Sequence, residues 1–394
     1  MVEGKGVTVL NIPGLILAVF VVTSAHASDS QFVLDRGETV SLLSAGHTSD
    51  ETVLIALGEL AFKDEGLLDL AASRSVGIHL SCDSCHPDGG ASQTIFLAGL
   101  SSKPGTIDIT HRAITLYEDG IFNPVSIPSL LGARETGPYG RTGKFSTLRD
   151  FTRFAIVDEF GGKEPGELTV EALIAYQASL EFLTNEWIDD QGQLTDLVSS
   201  TARRGYEVFN RPFPSDPQLS CSFCHIPEEA FIDGQTHEVG TGLKIDTPTL
   251  RDLRITPPYM HDGRFDSLAA VVAHFDGHFK LSFTEKDKIA LLAYLELVGG
   301  GVAVKPAMPG NFKIELIWVL LERTLLSKDW ALGKMVIDQI SRELNAIRGQ
   351  PGAPVNEIIN RCIDDLGQID SFNKVENYKG ALGILYELRT ALTR

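Results

Sequence analysis

One five-residue frame occurs twice in this chain, as Cys82-Asp-Ser-Cys85-His86 and as Cys221-Ser-Phe-Cys224-His225. Two thiols on one turn with an imidazole directly after them suit a specific chemistry. The thiols add to the two vinyl groups of a porphyrin and the histidine binds its iron, so one short loop supplies both tethers and an axial ligand. Zinc ribbons also use paired cysteines but keep the pairs close together, and a thioredoxin-like dithiol follows a strand of a βαβ unit. Here the pairs lie far apart, no such strand precedes either, and neither chemistry accounts for a histidine after both. The sequence therefore predicts two covalently bound haem c groups on Cys82, Cys85, Cys221 and Cys224, with His86 and His225 as proximal ligands.

The elements that position these frames are also legible. Ala202–Phe209 reads as an amphipathic helix ending shortly before Cys221, and Leu67–Ser75 reads likewise before Cys82. Downstream of each frame lies one copy of a second motif. Residues 127–148 align without a gap on residues 247–268, matching Pro128 to Pro248, Leu130 to Leu250, Arg134 to Arg254, Pro138 to Pro258, Tyr139 to Tyr259, Gly143 to Gly263 and Phe145 to Phe265. A duplicated domain has this signature. The proline-rich part must be loop. Asp266 or Ser267 can then cap a helix that carries Leu268, Val271, Val272 and Phe275 on one face, with Gly277 as its predicted end.

The 394-residue chain has 34 Lys+Arg against 52 Asp+Glu, a net charge of −18, which argues against a nucleic-acid partner and for a cationic protein partner. With 43% apolar residues it can fill the cores of two or three domains. Residues 1–27, with an apolar run from Ile12 to Val22 and the small triplet Ala25-His26-Ala27, read as a cleaved signal peptide, so a periplasmic location is expected. The fold class expected is mainly α. It comprises an N-terminal cytochrome c-like haem domain over 28–190, a second over 191–304 and a helical hairpin or bundle over 305–394, with a linker near Asp189–Gln193. Cys362 falls on an apolar helix face with Ile358 and Leu366 and reads as a buried, unreacted thiol.

The two frames and the Thr247–Leu268 stretch resemble those of the bacterial di-haem cytochrome c peroxidases and their relative MauG, over roughly residues 50–300. The resemblance implies two helical cytochrome c-like domains, one haem in each, with a calcium ion between them. It also implies electron entry at one haem and reduction of hydrogen peroxide at the other. The position at which the family places a sixth iron ligand falls here on Phe275, which cannot bind iron. His274, His278 and Met260 are the donors nearby, and all three stay open as ligands of the second iron. A helix C-terminal histidine pairing with the macrodipole is the plainer account of His274, and His261 reads as a loop or haem-propionate contact. His79 and His111 are the histidines available to the first iron.

In the family's peroxidases a glutamate follows the motif leucine, whereas here Arg149 and Asp150 follow Leu148. Arg149 can polarise a breaking O–O bond, with Asp150, Glu135 or Asp158 as proton relay. Arg134, Arg141, Lys144, Arg251, Arg254 and Arg264 read as partners for haem propionates. For calcium the resemblance points to the carbonyls of Thr256 and Pro258 and an asparagine. Asn123 is near, but Ser126 holds the matching place. MauG-like chemistry relies on an aromatic residue between the porphyrins, for which Trp187, Tyr139 and Tyr259 are the candidates. The function expected is peroxide reduction with electrons from a small cytochrome or copper protein. A di-haem electron carrier and a MauG-like protein oxidase are the alternatives, and a homodimer stays open.

Overall fold

A computed structural model describes residues 8–12, 15–20, 31–33, 39–41, 50–68, 79–108, 122–302, 314–348 and 353–392. It is mainly helical, with few and short strands. Two compact units divide the chain. One comprises Phe62–Pro165 and Leu173–Lys305 and holds both Cys-x-x-Cys-His frames; the other comprises Met1–Ala61, Gly166–Ala172 and Pro306–Arg394.

In the frame-bearing unit the second half is built on two helices, Ser200–Phe209 and Glu285–Val298. Ser199 starts the first by accepting a hydrogen bond from Ala202 N at 3.2 Å. Gly205 lets the pair approach closely, since a Cβ there would fall 2.0 Å from the Ala290 carbonyl oxygen. The core they enclose contains Val208, Phe209, Phe231, Leu291, Tyr294 and Val298. Asp287, 4% exposed, caps the second helix through Thr284 and takes Arg204 and Arg211 at 3.1 and 2.9 Å. The first half packs Leu80, Cys85, Leu100, Ile107 and Ile127 into a smaller core.

A further helix runs over Glu167–Ala178. It stops there because Leu180 O is committed to Gly132 N at 2.6 Å, across the chain. Asp189–Gln193, expected as a linker, is a closed turn. Asp189 N and O bond Gln193 O and Gly192 N at 2.9 Å each, and a bridge pairs buried Ile188 with Leu194.

The other unit contains a four-stranded antiparallel sheet, in the order Thr8–Ile12, Leu15–Phe20, Gln31–Val33, Thr39–Ser41, within and beyond the stretch expected as signal peptide. Its C-terminal part is four helices, Ile314–Leu326, Trp330–Arg348, Ala353–Lys374 and Tyr378–Leu392. Leu320, Leu321, Leu325, Leu332, Leu366 and Ile369 are fully buried there, with Cys362 beside them at 6% exposure. One turn recurs between the helix pairs. Lys328 and Glu376 both take left-handed φ (57° and 54°), and Asp329 Oδ1 and Asn377 Oδ1 accept from Leu332 N and Gly380 N at 3.1 and 3.2 Å. That second internal repeat is short enough to have escaped the sequence reading. Among the described residues no helix is long and apolar enough to cross a membrane.

Candidate haem-binding site

Each frame forms a single helical turn, Cys82–Cys85 and Cys221–Cys224, closed by the following histidine. His86 N donates to Cys82 O at 2.9 Å and His225 N to Cys221 O at 3.0 Å. No disulfide joins the four cysteines. Burial pushes Cys82 and Cys221 up to about 12 and Cys85 and Cys224 up to about 11, so they stay protonated at neutral pH. A catalytic dithiol needs the opposite shift.

The histidines are oriented alike. His86 Nδ1 lies 2.9 Å from Pro128 O, and His225 Nδ1 lies 3.0 Å from Phe231 O. A ring nitrogen that donates to a carbonyl fixes the tautomer and leaves the other nitrogen with its lone pair, the arrangement found in metal-ligating histidines. Here Nε2 is the nitrogen left for iron. Burial lowers both imidazoles, His86 to about 4, and keeps them neutral. The donor set thus fits haem in each half: Cys82, Cys85 and His86 in one, Cys221, Cys224 and His225 in the other. His261 Nδ1 is buried without a partner, which fits its reading as a propionate contact.

The two downstream stretches share their local geometry. Tyr139 bridges Phe145 as Tyr259 bridges Phe265, and the tyrosine hydroxyls donate to Ala133 O at 2.9 Å and Leu253 O at 3.1 Å. Gly137-Pro138 and Pro257-Pro258 are both cis. Thr147 and Ser267 cap the helices that follow, accepting from Asp150 N and Ala270 N.

That correspondence exposes an asymmetry. Met260, His274 and His278 of the second stretch fall on Gly140, Phe154 and Asp158 of the first, so the first half has no neutral nitrogen or sulfur donor at any of the three places. Met260 takes φ 69°, left-handed backbone that Gly140 adopts at 80° without penalty. The helix over Leu268–Phe279 runs past Gly277, contrary to expectation, and ends at Lys280 with φ 53°, so His278 belongs to its last turn. His274 Nε2 bonds Val239 O at 2.7 Å, leaving Nδ1 free. The rings of His274 and His278 lie parallel with centroids 6.0 Å apart, and His278 is exposed.

In the first half, Asp150 is tied to the helix cap: Thr147 Oγ1 donates to its carboxylate at 2.6 Å and accepts from its N–H at 3.1 Å. Arg149 is half-buried in the same first turn. Glu135 is exposed and 3.5 Å from Arg134, which also meets Glu181 at 3.2 Å, while Asp158 lies 3.9 Å from Arg153. The structure does not bring Glu135 together with Asp150. Helical structure turns to π form over Ala155–Glu159, where the second half continues as α-helix. His111 lies outside the described residues. Trp187 is half-buried, with its ring beside Gly300.

Three groups escaped the sequence reading. His237 Nε2 pairs with Asp233 Oδ2 at 2.7 Å, and both lie with Cys224 inside a 4.8 Å cluster. Asp246, beside them, is pushed up to about 7 by burial and by Asp233. Arg141, read only as a propionate partner, lies where the two halves meet. Its guanidinium donates to His261 O at 2.9 Å and to Ser126 O. Ser126 N and Oγ in turn donate to His261 O at 3.0 Å and Met260 O at 2.8 Å. Ser126, which holds the place the resemblance gives to a calcium-binding asparagine, spends its hydroxyl as a donor to Met260 O, and a fixed cation, Arg141, already occupies its carbonyl, so calcium does not fit beside Ser126.

Known proteins resemble this chain in sequence. The family model described as di-haem cytochrome c peroxidase matches residues 205–288. The methylamine utilization protein MauG of Methylophilus methylotrophus is 31% identical over 307 residues, spanning 64% of this chain and 85% of that protein. Hydrazine synthase subunit gamma of Kuenenia stuttgartiensis is 24% identical over 314 residues, spanning 64% and 79%. A solved structure of hydrazine synthase from the same organism aligns with a TM-score of 0.45 at 21% identity, over 70% of this chain and 98% of that one. The chain belongs to the di-haem cytochrome c peroxidase family that includes MauG.

Proposed function

We propose that this chain is an exported, periplasmic di-haem c peroxidase, evolved by duplication of one haem unit, that takes electrons from a small cationic redox protein. The single observation that carries the reading is the asymmetry between its halves. Beside the second frame Met260, His274 and His278 offer a sixth ligand, and at the matching places of the first half Gly140, Phe154 and Asp158 offer none. Were haem bound in each half, that difference would suit a division between receiving electrons at the second and binding peroxide at the first.

The chemistry that haem supplies when bound is reduction of hydrogen peroxide to water, which consumes two electrons and two protons. The chain's own residues supply the rest. His86 and His225 hold the proximal positions with Nδ1 tied to backbone carbonyls. His274, its Nε2 held by Val239 O, would offer Nδ1 to the iron of the second half. Arg149 supplies positive charge where oxygen gains negative charge as the peroxide bond breaks. Asp150 is committed to its helix cap, so its part is to hold Arg149 in place. The net charge of −18 favours docking of a cationic cytochrome or copper protein.

The likeness to MauG favours a second reading, oxidation of a protein substrate by the same pair of haems. Steady-state peroxide consumption by the holoprotein, with and without a reduced small cytochrome, separates the two. Turnover that depends on the cytochrome supports the peroxidase. Peroxide consumption without the cytochrome that depends instead on an added protein substrate supports the oxidase, and inertness toward peroxide removes both.

A further inference from the structure

Two backbone carbonyls from opposite halves of the frame-bearing unit converge on one half-buried side chain. Ser126 O belongs to the half of the first frame and His261 O to that of the second, and the guanidinium of Arg141 donates to both. The contact is close on each side. A Cβ on Gly105 would lie 2.7 Å from Pro258 Cδ, and one on Gly263 would lie 2.8 Å from Thr106 Cγ2. Both glycines take left-handed φ, 78° and 66°, which leaves their loops able to meet. Around this point Ser126 N and Oγ reach His261 O and Met260 O, Asp246 N donates to Arg141 O at 2.9 Å, and Lys103 pairs with Asp266 at 2.8 Å.

We infer that Arg141 is the internal cation that joins the two haem-bearing halves, so that their union needs no bound calcium. A guanidinium has fixed forked donors suited to reaching two carbonyls at once, and it cannot dissociate from the chain. Glu159 from its own half and Asp262 from the other supply the opposing charge. Its position in the repeat is telling. Arg141 corresponds to His261, so each half contributes to the contact from the same place in its motif.

The test is calorimetry and Soret circular dichroism of the holoprotein, in chelator and in saturating calcium, on the wild type, Arg141→Met and Arg141→Lys. The Soret signal reports the mutual arrangement of two haems, which a merely local loss of stability would leave alone. The inference expects the wild type to be indifferent to chelator and calcium in both readouts. It expects Arg141→Met to unfold about 5–10 °C lower with an altered Soret signal, and Arg141→Lys to recover part of both. A wild-type transition that chelator lowers and calcium restores would overturn it, as would Arg141→Met behaving as wild type. If the methionine variant does not fold, the wild-type chelator arm and Arg141→Lys still decide.

Discussion

His274 Nε2 lies 2.7 Å from the carbonyl oxygen of Val239, so of its two nitrogens only Nδ1 keeps a free lone pair. His86 and His225 show the mirror arrangement, with Nδ1 on a carbonyl and Nε2 free. Gly240 adjoins both His274 and His278; a Cβ there, at φ 80°, would lie 2.8 Å from His278 Nδ1 and 3.1 Å from His274 Cε1. A loop that needs glycine at this place holds the imidazole of His274 in one orientation.

Replacing His274 by alanine is expected to convert one of the two haems from six-coordinate low spin to high spin, seen by spin resonance and the visible bands of the oxidised holoprotein. His278→Ala, exposed at the helix end, is expected to leave the spectrum unchanged. A low-spin spectrum in both variants that is lost in Met260→Ala would move the ligand to the methionine.

Arg149→Met is expected to lower peroxide turnover about 10²-fold, the usual size of one lost charge-stabilising donor, while the Soret maximum and haem content stay as in wild type. Asp150→Asn, which keeps a cap but loses the carboxylate, is expected to have a smaller effect. Equal turnover of Arg149→Met and wild type would return that arginine to a propionate-pairing role.

Asp287 supplies the pH dependence. Hydrogen bonds from Arg211, Thr284 and Arg204 hold its carboxyl well below the usual carboxylate range, against the effect of burial. Since the folded value is depressed, its stabilisation is complete above the unfolded value near pH 4 and is lost as the pH falls through the folded one. Asp287→Ala is expected to cost about 2–3 kcal/mol at pH 7. Its acid-unfolding curve should be flatter than that of wild type below pH 4, and identical limbs would remove Asp287 from the acid transition.

In the other unit the buried pair Asp329 and Thr169 plays a comparable part. Asp329 Oδ2 accepts from Thr169 Oγ1 at 2.7 Å and Thr169 N at 3.3 Å, and Oδ1 caps the Trp330–Arg348 helix. Asp329→Ala is expected to cost about 2–3 kcal/mol, against about 1 kcal/mol for Thr169→Val. Denaturant titration measures both, and equal losses would place the whole effect in the hydrogen bond rather than the cap.

What could be read from sequence was local. The frames, their histidines, the cap at Ser267 and the matched Tyr139 and Tyr259 loops each lie within a short stretch, where residue type and spacing determine geometry. The Leu268–Phe279 helix was misjudged at its end because Gly277 is exposed with open space about it, so nothing forces a stop before Lys280. The Asp189–Gln193 run has a linker's composition, yet buried Ile188 anchors it, and its glycine tucks under Pro227.

The remainder depended on tertiary contacts that no spacing reports. His237 meets Asp233 because a short hairpin, Thr236–Glu238 with Lys244–Asp246, turns one back toward the other beside Cys224. Arg141 looked like one of six cations available to propionates. Only the meeting of Ser126 with His261 across the unit gives it a place of its own.

The most direct test of the central claim is the intact mass of the protein matured in a host with haem c lyase machinery, read with Cys85→Ala and Cys224→Ala variants. Two haem masses retained after denaturation are predicted for the wild type, with thioether attachment impaired at one frame in each variant. A wild-type mass equal to that of the bare polypeptide, with all four thiols open to alkylation, would contradict the account.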